Sequence, residues 1–178
     1  AYLQDYDAAY KDSVENPASF WEEVAKELDW FKPWDSVFEW TYPTFKWFLG
    51  AKCNITYNAL DRHLTNGNKN KAAFIFLGED GSERVFTYGR LAQMVNRFAN
   101  GLKSLGVKKG DRVVVYMPLS PEGAIAMLAC ARIGAVHSVV YAGFSVGSLR
   151  GRITDAQAKL VITADVGYRR GNEVDLKG

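Results

Sequence analysis

The second half of the chain alternates short apolar runs with amphipathic stretches. Residues 111–117, 136–141 and 160–163 are apolar runs rich in β-branched residues, which is typical of parallel strands covered on both faces. Between them, residues 123–133 and 145–156 carry helical spacing. This succession of strand, helix, strand, helix and strand predicts an α/β fold with a parallel βαβαβ sheet and helices on both faces.

A β-hairpin and a long helix are predicted ahead of this sheet. The runs Ala72–Leu77 and Arg84–Phe86 are separated by the turn-forming residues Gly78–Ser82, which predicts two antiparallel strands. Thr87 is then a helix cap, and the apolar positions that follow keep helical spacing until Gly106.

The first third of the chain is rich in aromatic residues. Fifteen of the 24 Phe, Tyr and Trp residues, including all five tryptophans, precede position 61. A helix is predicted over residues 17–28 with Asn16 as its cap, an irregular segment over 30–55 and a second helix over 56–65. The glutamates of the first helix favour packing within the protein over docking to a membrane. We predict an aromatic-rich extension, residues 1–66, that wraps an α/β subdomain, residues 67–178.

Composition and charge exclude several classes of protein. No apolar stretch is long and uninterrupted enough to span a membrane, and the first residues do not resemble a secretory leader. The two cysteines, Cys53 and Cys130, lack metal-site spacing and indicate free thiols in a reducing compartment, so a cytoplasmic location is expected. Residues 101–178 carry a net charge of +5, too little for nucleic acid but enough to favour a small anionic ligand.

Ligands of parallel sheets bind beyond the carboxyl ends of the strands, which directs attention to residues 118–121, 142–145 and 164–172. Gly143, Phe144 and Ser145 lie at a predicted helix start, where exposed N–H groups favour an anion; alternatively, they only form a turn and a cap. Adjacent arginines between glycines suit phosphate recognition, although such a pair is also common on a solvated surface. They are Arg169 and Arg170, followed by Gly171 and Asn172.

The segment Gly143–Gly147 also matches the G-x-S-x-G pattern of hydrolases. In that fold the catalytic histidine follows the serine, whereas His63 and His137 both precede Ser145. An esterase is therefore disfavoured. His137 is interpreted as a core residue of a buried strand.

Several longer motifs together resemble the N-terminal part of AMP-forming acetyl-CoA synthetases, members of the adenylate-forming ligases. The resemblance covers essentially the whole chain. It is carried by Asn54–His63, Phe86–Tyr88, Val95–Leu102, Gly110–Val113, Tyr116–Pro118, His137–Ser145, Arg152–Ile153 and Leu160–Asp165.

This resemblance implies a ligase that forms acetyl-adenylate and pyrophosphate from acetate and ATP, with Mg²⁺, and then transfers the acetyl group to CoA with release of AMP. It places the catalytic groups in the remainder of the ligase chain, so the 178 residues alone are expected to be inactive. Two segments are implied to face CoA: Gly143, Phe144 and Ser145, and the run Arg169, Arg170, Gly171 and Asn172. The family pattern has arginine where Asn172 stands and a small residue at position 170.

Two alternatives remain open at this point. The full protein could act on propionate or another short acid, because nothing in these residues measures the acyl pocket. The chain could instead be a non-catalytic module that binds CoA or assembles with a partner. The oligomeric state is not predicted.

Overall fold

The computed structural model describes residues 3–176, apart from the side chains of residues 3, 4 and 169. The chain forms two compact units, Ala1–Asn54 and Ile55–Gly178. The sequence suggests a division after residue 66, which is twelve residues later than the boundary between these units. The division after residue 66 stays a prediction. No helix within residues 3–176 is both long and apolar enough to cross a membrane.

The first unit consists of two helices and a β-hairpin. Helix α1 spans Leu3–Glu15 and α2 spans Pro17–Ala25, and strands β1, Ser36–Thr41, and β2, Thr44–Leu49, pair antiparallel. The prediction of an irregular segment over residues 30–55 is therefore wrong for residues 36–41 and 44–49. Pro43 lies in the turn between them, where proline is compatible with a hairpin.

Aromatic packing holds the first unit together. The rings of Trp30, Trp34 and Phe48 lie with centroids 5.2–5.3 Å apart in every pair. The Trp30 indole donates a hydrogen bond to the Ala25 carbonyl at 2.8 Å, which ties this cluster to the end of α2. The rings therefore reinforce residues 30–35, whose backbone is also hydrogen-bonded to Leu49 and Lys52.

The second unit begins with a short helical segment. Residues Tyr57–Asp61 form a π-helical turn that continues as α3, Arg62–Thr65, within the range predicted for one helix. The buried Thr56 hydroxyl donates to the Leu128 carbonyl at 3.0 Å and thereby fixes this segment against a later helix.

The predicted hairpin and long helix are both observed. Strands β3, Ala72–Leu77, and β4, Glu83–Thr87, pair antiparallel, and α4 spans Tyr88–Ser104. The Thr87 hydroxyl accepts the Arg90 N–H, as expected of an N-cap.

A three-stranded parallel sheet forms the centre of this unit, and the predicted fold class is confirmed. Its strand order is β6-β5-β7, with two crossover helices and a further antiparallel pair after β7. The elements are β5, Arg112–Met117; α5, Pro121–Ile133; β6, Val136–Tyr141; α6, Val146–Ala156; β7, Leu160–Thr163; β8, Val166–Arg169; and β9, Asn172–Asp175.

Helices cover both faces of β5. Val113 packs in a core with residues of α4 and α5, whereas Val114 and Tyr116 pack with Leu149 and Ile153 of α6. The central position of β5 explains why its apolar run is continuous.

Strand β6 is less buried than its sequence suggests. It is an edge strand of this sheet, and the side chains of Val136 and Val139 remain more than half exposed while Val140 is fully buried. His137 is exposed as well, so its interpretation as a core residue is wrong.

Candidate functional site

The carboxyl ends of β5, β6 and β7 bring three connections to one edge of the sheet. Residues 118–120 follow β5, residues 142–145 follow β6 and residues 164–165 follow β7. Because the strands are parallel and directly paired, these connections start side by side, as the sequence predicts.

The connection after β6, residues 142–145, is held by hydrogen bonds from two directions. The Phe144 N–H donates to the Tyr141 carbonyl at 3.0 Å, which closes a turn. The Tyr116 hydroxyl, at the end of β5, donates to the Ala142 carbonyl at 3.1 Å. Gly143 therefore lies in a segment whose backbone is fixed by the central strand.

Phe144 projects from this segment and contacts two side chains. Its ring is 46% exposed, packs edge-on against Tyr141 with centroids 6.0 Å apart, and lies 4.9 Å below the Arg152 guanidinium. Arg152 is itself held by the Ser148 hydroxyl at 2.5 Å. The exposed aromatic face next to a cation can contact a flat or anionic ligand.

The serine of the G-x-S-x-G segment is a helix cap. The Ser145 hydroxyl accepts the Ser148 N–H at 3.4 Å. His137 is the second residue of β6, so four strand steps, about 13 Å, separate it from Tyr141, which precedes the serine. His63 instead packs against Tyr88, with the ring centroids 4.6 Å apart and the planes tilted by 41°. The described role of Ser145 is therefore that of an N-cap.

The two arginines lie at the turn of a β-hairpin rather than in the loop that the sequence predicts. We call β8 and β9 with their turn the arginine hairpin. Arg169 pairs with Asn172, and the two residues between them, Arg170 and Gly171, have φ values of +52° and +75°. Two left-handed residues in sequence make a type I′ turn, which matches the twist of antiparallel strands. The Arg169 side chain lies outside the described residues.

Asn172 takes part in the turn. Its side-chain amide donates to the Arg170 carbonyl at 3.3 Å. The asparagine thus stabilises the backbone of the turn. Arg170 is exposed at the tip of the turn.

The base of the arginine hairpin packs closely on the connection after β5. Gly167 is buried, and a Cβ added there would lie 3.0 Å from the Pro118 Cβ. At the far end of β9, the Leu176 N–H donates to the Asp165 carbonyl at 2.9 Å. The hairpin therefore has a fixed base.

A cavity of about 640 Å³ lies between the β3–β4 turn, the connection after β5 and the arginine hairpin. Its lining combines apolar side chains with three acidic ones. The apolar members include Phe76, Leu119 and Val166, and the acidic ones are Glu79, Asp80 and Glu122.

Hydrogen bonds lower the pKa of two of these acids. Partial burial favours the neutral form of Glu122, but hydrogen bonds from Arg84 and the backbone outweigh it and lower its pKa. Hydrogen bonds from Ser82 lower the pKa of Asp80. These carboxylates make the cavity wall acidic, and Arg84 offsets the charge of Glu122 through an ion pair of 2.8 Å.

One contact at the hairpin tip has no signal in the sequence. The Gly171 N–H donates to the Glu79 carboxylate at 3.1 Å, and 92 positions separate the two residues. Sequence reasoning assigned Glu79 to a surface turn and missed this contact, because no local pattern connects the two segments.

Residues 60–177 match the family model described as AMP-binding enzyme, and residues 6–59 match that of the acetyl-coenzyme A synthetase N-terminus. The first match covers 118 of 178 residues. This chain belongs to the AMP-binding enzyme family. The resemblance inferred from the sequence motifs is thereby confirmed.

Relatives within the AMP-binding enzyme family cover nearly the whole chain. An acetyl-coenzyme A synthetase of Deinococcus radiodurans is 56% identical over 97% of the chain and 27% of the relative. One from Methanothrix thermoacetophila is 55% identical over 92% of the chain and 25% of the relative. A 3-hydroxypropionyl-coenzyme A synthetase of Sulfurisphaera tokodaii is 54% identical over 98% of the chain and 27% of the relative.

The fold is also found in a solved structure. An acetoacetyl-CoA synthetase from Streptomyces lividans superimposes with a TM-score of 0.87 and 29% identity, covering 96% of this chain and 26% of that one. The chain thus spans about a quarter of the length of the relatives it matches.

Proposed function

We propose that the whole protein is an AMP-forming acetate–CoA ligase. The acetate carboxylate attacks the α-phosphorus of ATP and pyrophosphate leaves; the CoA thiol then attacks the acyl carbon, loses its proton and displaces AMP. The observation that carries this proposal is identity of 55–56% to proteins named acetyl-coenzyme A synthetase over more than nine-tenths of the chain.

Within that reaction, we assign the arginine hairpin and residues 142–145 to binding CoA. Two observations support this assignment. Both segments lie at the ligand-binding edge of the parallel sheet. The turn carries two consecutive arginines, and guanidinium groups suit phosphate oxygens. The proposed CoA-binding residues are Gly143, Phe144, Ser145, Arg169, Arg170, Gly171 and Asn172.

The other substrates, acetate and ATP, are proposed to bind in the part of the full-length protein outside these 178 residues. The described residues contain no group of three or more His, Cys, Asp or Glu side chains that could hold a metal ion, and no Mg²⁺ ligand is assigned to them. No step of the proposed reaction is assigned to the metal. The 178 residues alone are expected to form no acetyl-CoA, and a cytoplasmic location is proposed.

The experiment compares two half-reactions in the full-length protein. Wild type should convert acetate, ATP and CoA to acetyl-CoA, AMP and pyrophosphate. Arg169→Ala should raise the KM for CoA by roughly ten- to a hundred-fold, because a charge-assisted contact to phosphate contributes about 1.5–3 kcal/mol. Acetate-dependent exchange of pyrophosphate into ATP should be largely unchanged, since it precedes CoA binding.

The matched control is Arg97→Ala, which removes an exposed arginine from α4. It should leave the KM for CoA within about two-fold of wild type, as expected of a surface charge remote from the ligand. Equal loss of both half-reactions in Arg169→Ala would show that the hairpin is structural and would refute its assignment to CoA.

A second candidate is a ligase for another short acid, because one relative of 54% identity is a 3-hydroxypropionyl-coenzyme A synthetase. A panel of acetate, propionate and 3-hydroxypropionate, compared by kcat/KM, distinguishes the two. The non-catalytic alternative predicts CoA binding by calorimetry without thioester formation with any acid.

A further inference from the structure

The turn between β3 and β4 is a rigid platform. The Gly78 N–H donates to the Ser82 carbonyl at 2.8 Å, and the Ser82 N–H donates to the Asp80 carboxylate at 3.0 Å. A Cβ added at Gly78 would meet the side chains of Asp80 and Ser82. Glu79 therefore projects from a backbone that its own neighbours fix.

The arginine hairpin contacts this platform at its tip. Its base is held by the packing of Gly167 on Pro118, at the opposite end from the turn. At the turn, the described contact to another element is the 3.1 Å hydrogen bond from the Gly171 N–H to the Glu79 carboxylate. A two-stranded hairpin is marginally stable without such support.

We propose that Glu79 is a positioning residue for CoA: its carboxylate holds the turn that presents Arg169 and Arg170. The inference rests on the proposed function, because CoA is the ligand that the turn is taken to bind. Glu79 touches the backbone of the turn and acts through the arginines. Fixing the turn before the ligand arrives reduces the ordering that binding requires.

The carboxylate has two effects of opposite sign on CoA. Its hydrogen bond orients the turn, which favours binding, while its negative charge repels the phosphates, which disfavours it. Glu83 separates these effects. It is exposed at the start of β4, four residues away, and carries the same charge on the same β3–β4 hairpin. Glu83→Ala removes a charge and leaves the Glu79 hydrogen bond in place.

Glu79→Gln is a second way to distinguish the effect of the hydrogen bond from the effect of the charge. The glutamine amide oxygen can accept the same Gly171 N–H, although without the strengthening that a charge gives. If the hydrogen bond positions the turn, this variant should resemble wild type. If only the charge matters, it should behave like Glu79→Ala.

The test uses the full-length protein with three measurements: the KM for CoA, acetate-dependent pyrophosphate exchange, and hydrogen exchange of peptides covering residues 166–175. Glu79→Ala should raise the KM about two- to ten-fold, the range expected for one hydrogen bond. Pyrophosphate exchange should stay within two-fold of wild type, and the hairpin peptides should exchange faster. Glu79→Gln and Glu83→Ala should each lie within about two-fold of wild type in KM.

A Glu79→Ala variant with the same KM and the same hairpin exchange as Glu83→Ala would overturn the proposal. So would a Glu79→Gln variant as impaired as Glu79→Ala. If wild type forms no CoA thioester with any short acid, the proposed function fails. In that case, hydrogen exchange of residues 166–175 in Glu79→Ala still shows whether Glu79 holds the turn.

Discussion

Gly171 offers a prediction in which backbone strain is the only variable. It has φ +75° in the type I′ turn, and a Cβ added there would find no atom within 4 Å. Gly171→Ala therefore introduces no clash. Its cost is the left-handed conformation itself, about 1–2 kcal/mol for a residue with a Cβ. Gly171→Asn should recover most of this cost, because asparagine tolerates that conformation.

The expected readout is the opening of the arginine hairpin. A cost of about 1–2 kcal/mol corresponds to a roughly five- to thirty-fold larger open population. Hydrogen exchange of residues 166–175 in the full-length protein should accelerate by that factor in Gly171→Ala, and by much less in Gly171→Asn. Opening of one hairpin is a local event, so the free energy of global unfolding is the less sensitive measurement.

Gly101→Ala is the matched control. It is expected to stabilise the segment that contains it, whereas Gly171→Ala is expected to destabilise the arginine hairpin. Gly101 lies inside α4, and an added Cβ would also find no atom within 4 Å, but its φ is not positive. Alanine should stabilise the helix by about 0.5–1 kcal/mol. Hairpin exchange in Gly171→Ala no faster than in wild type or in Gly171→Asn would refute the assignment of a strained type I′ turn.

Three further predictions concern the core, the thiols and the aromatic contact at the sheet edge. Phe86 is fully buried, so Phe86→Ala should lower the free energy of unfolding by about 3–5 kcal/mol in urea denaturation, and an effect below 1 kcal/mol would contradict its burial. Burial raises the pKa of Cys130 to about 11, whereas Cys53 is exposed. At pH 8 a thiol reagent followed by mass spectrometry should therefore label Cys53 and spare Cys130 until the protein unfolds. Arg152→Ala removes the cation above the Phe144 ring and should raise the KM for CoA about two- to five-fold, whereas Arg150→Ala on the same helix should not.

Elements with local signals could be predicted from the sequence to within a few residues. Thr87, Ser120 and Ser145 each cap a helix through a bond to a backbone N–H three residues later. Such bonds depend only on neighbouring residues, so the sequence carries the information. The apolar run of β5 was equally informative, because this strand is central and buried on both faces.

Features that depend on distant pairing could not be predicted. The burial of β6 is set by strand order, which no window of its own sequence contains, so a run that resembles β5 is an exposed edge instead. The β1–β2 hairpin depends on cross-strand contacts such as that of Phe38 with Trp47, whose ring centroids are 4.4 Å apart. Pro43 lies within the segment predicted to be irregular and is part of the turn of that hairpin.

The candidate site also combines features that the local sequence predicts with features that depend on distant residues. The arginines and the glycine of the turn could be predicted as site residues from their residue types. Charged side chains beside a flexible glycine are visible in a short stretch of sequence. Their arrangement as a hairpin was missed, because Arg-Gly is a weak turn signal compared with Asn-Gly. The contact with Glu79 and the close approach of Gly167 to Pro118 join segments at least 49 positions apart, and only the folded chain reveals them.

The central position of β5 has a consequence for the size of the ligand. Its two neighbours lead into the two proposed contact segments, residues 142–145 after β6 and the arginine hairpin after β7. Adjacent strands lie about 4.8 Å apart, so these neighbours run about 10 Å from each other, with β5 as the spacer. A molecule that touches both segments must bridge that gap, which we expect of an extended nucleotide but not of a lone phosphate.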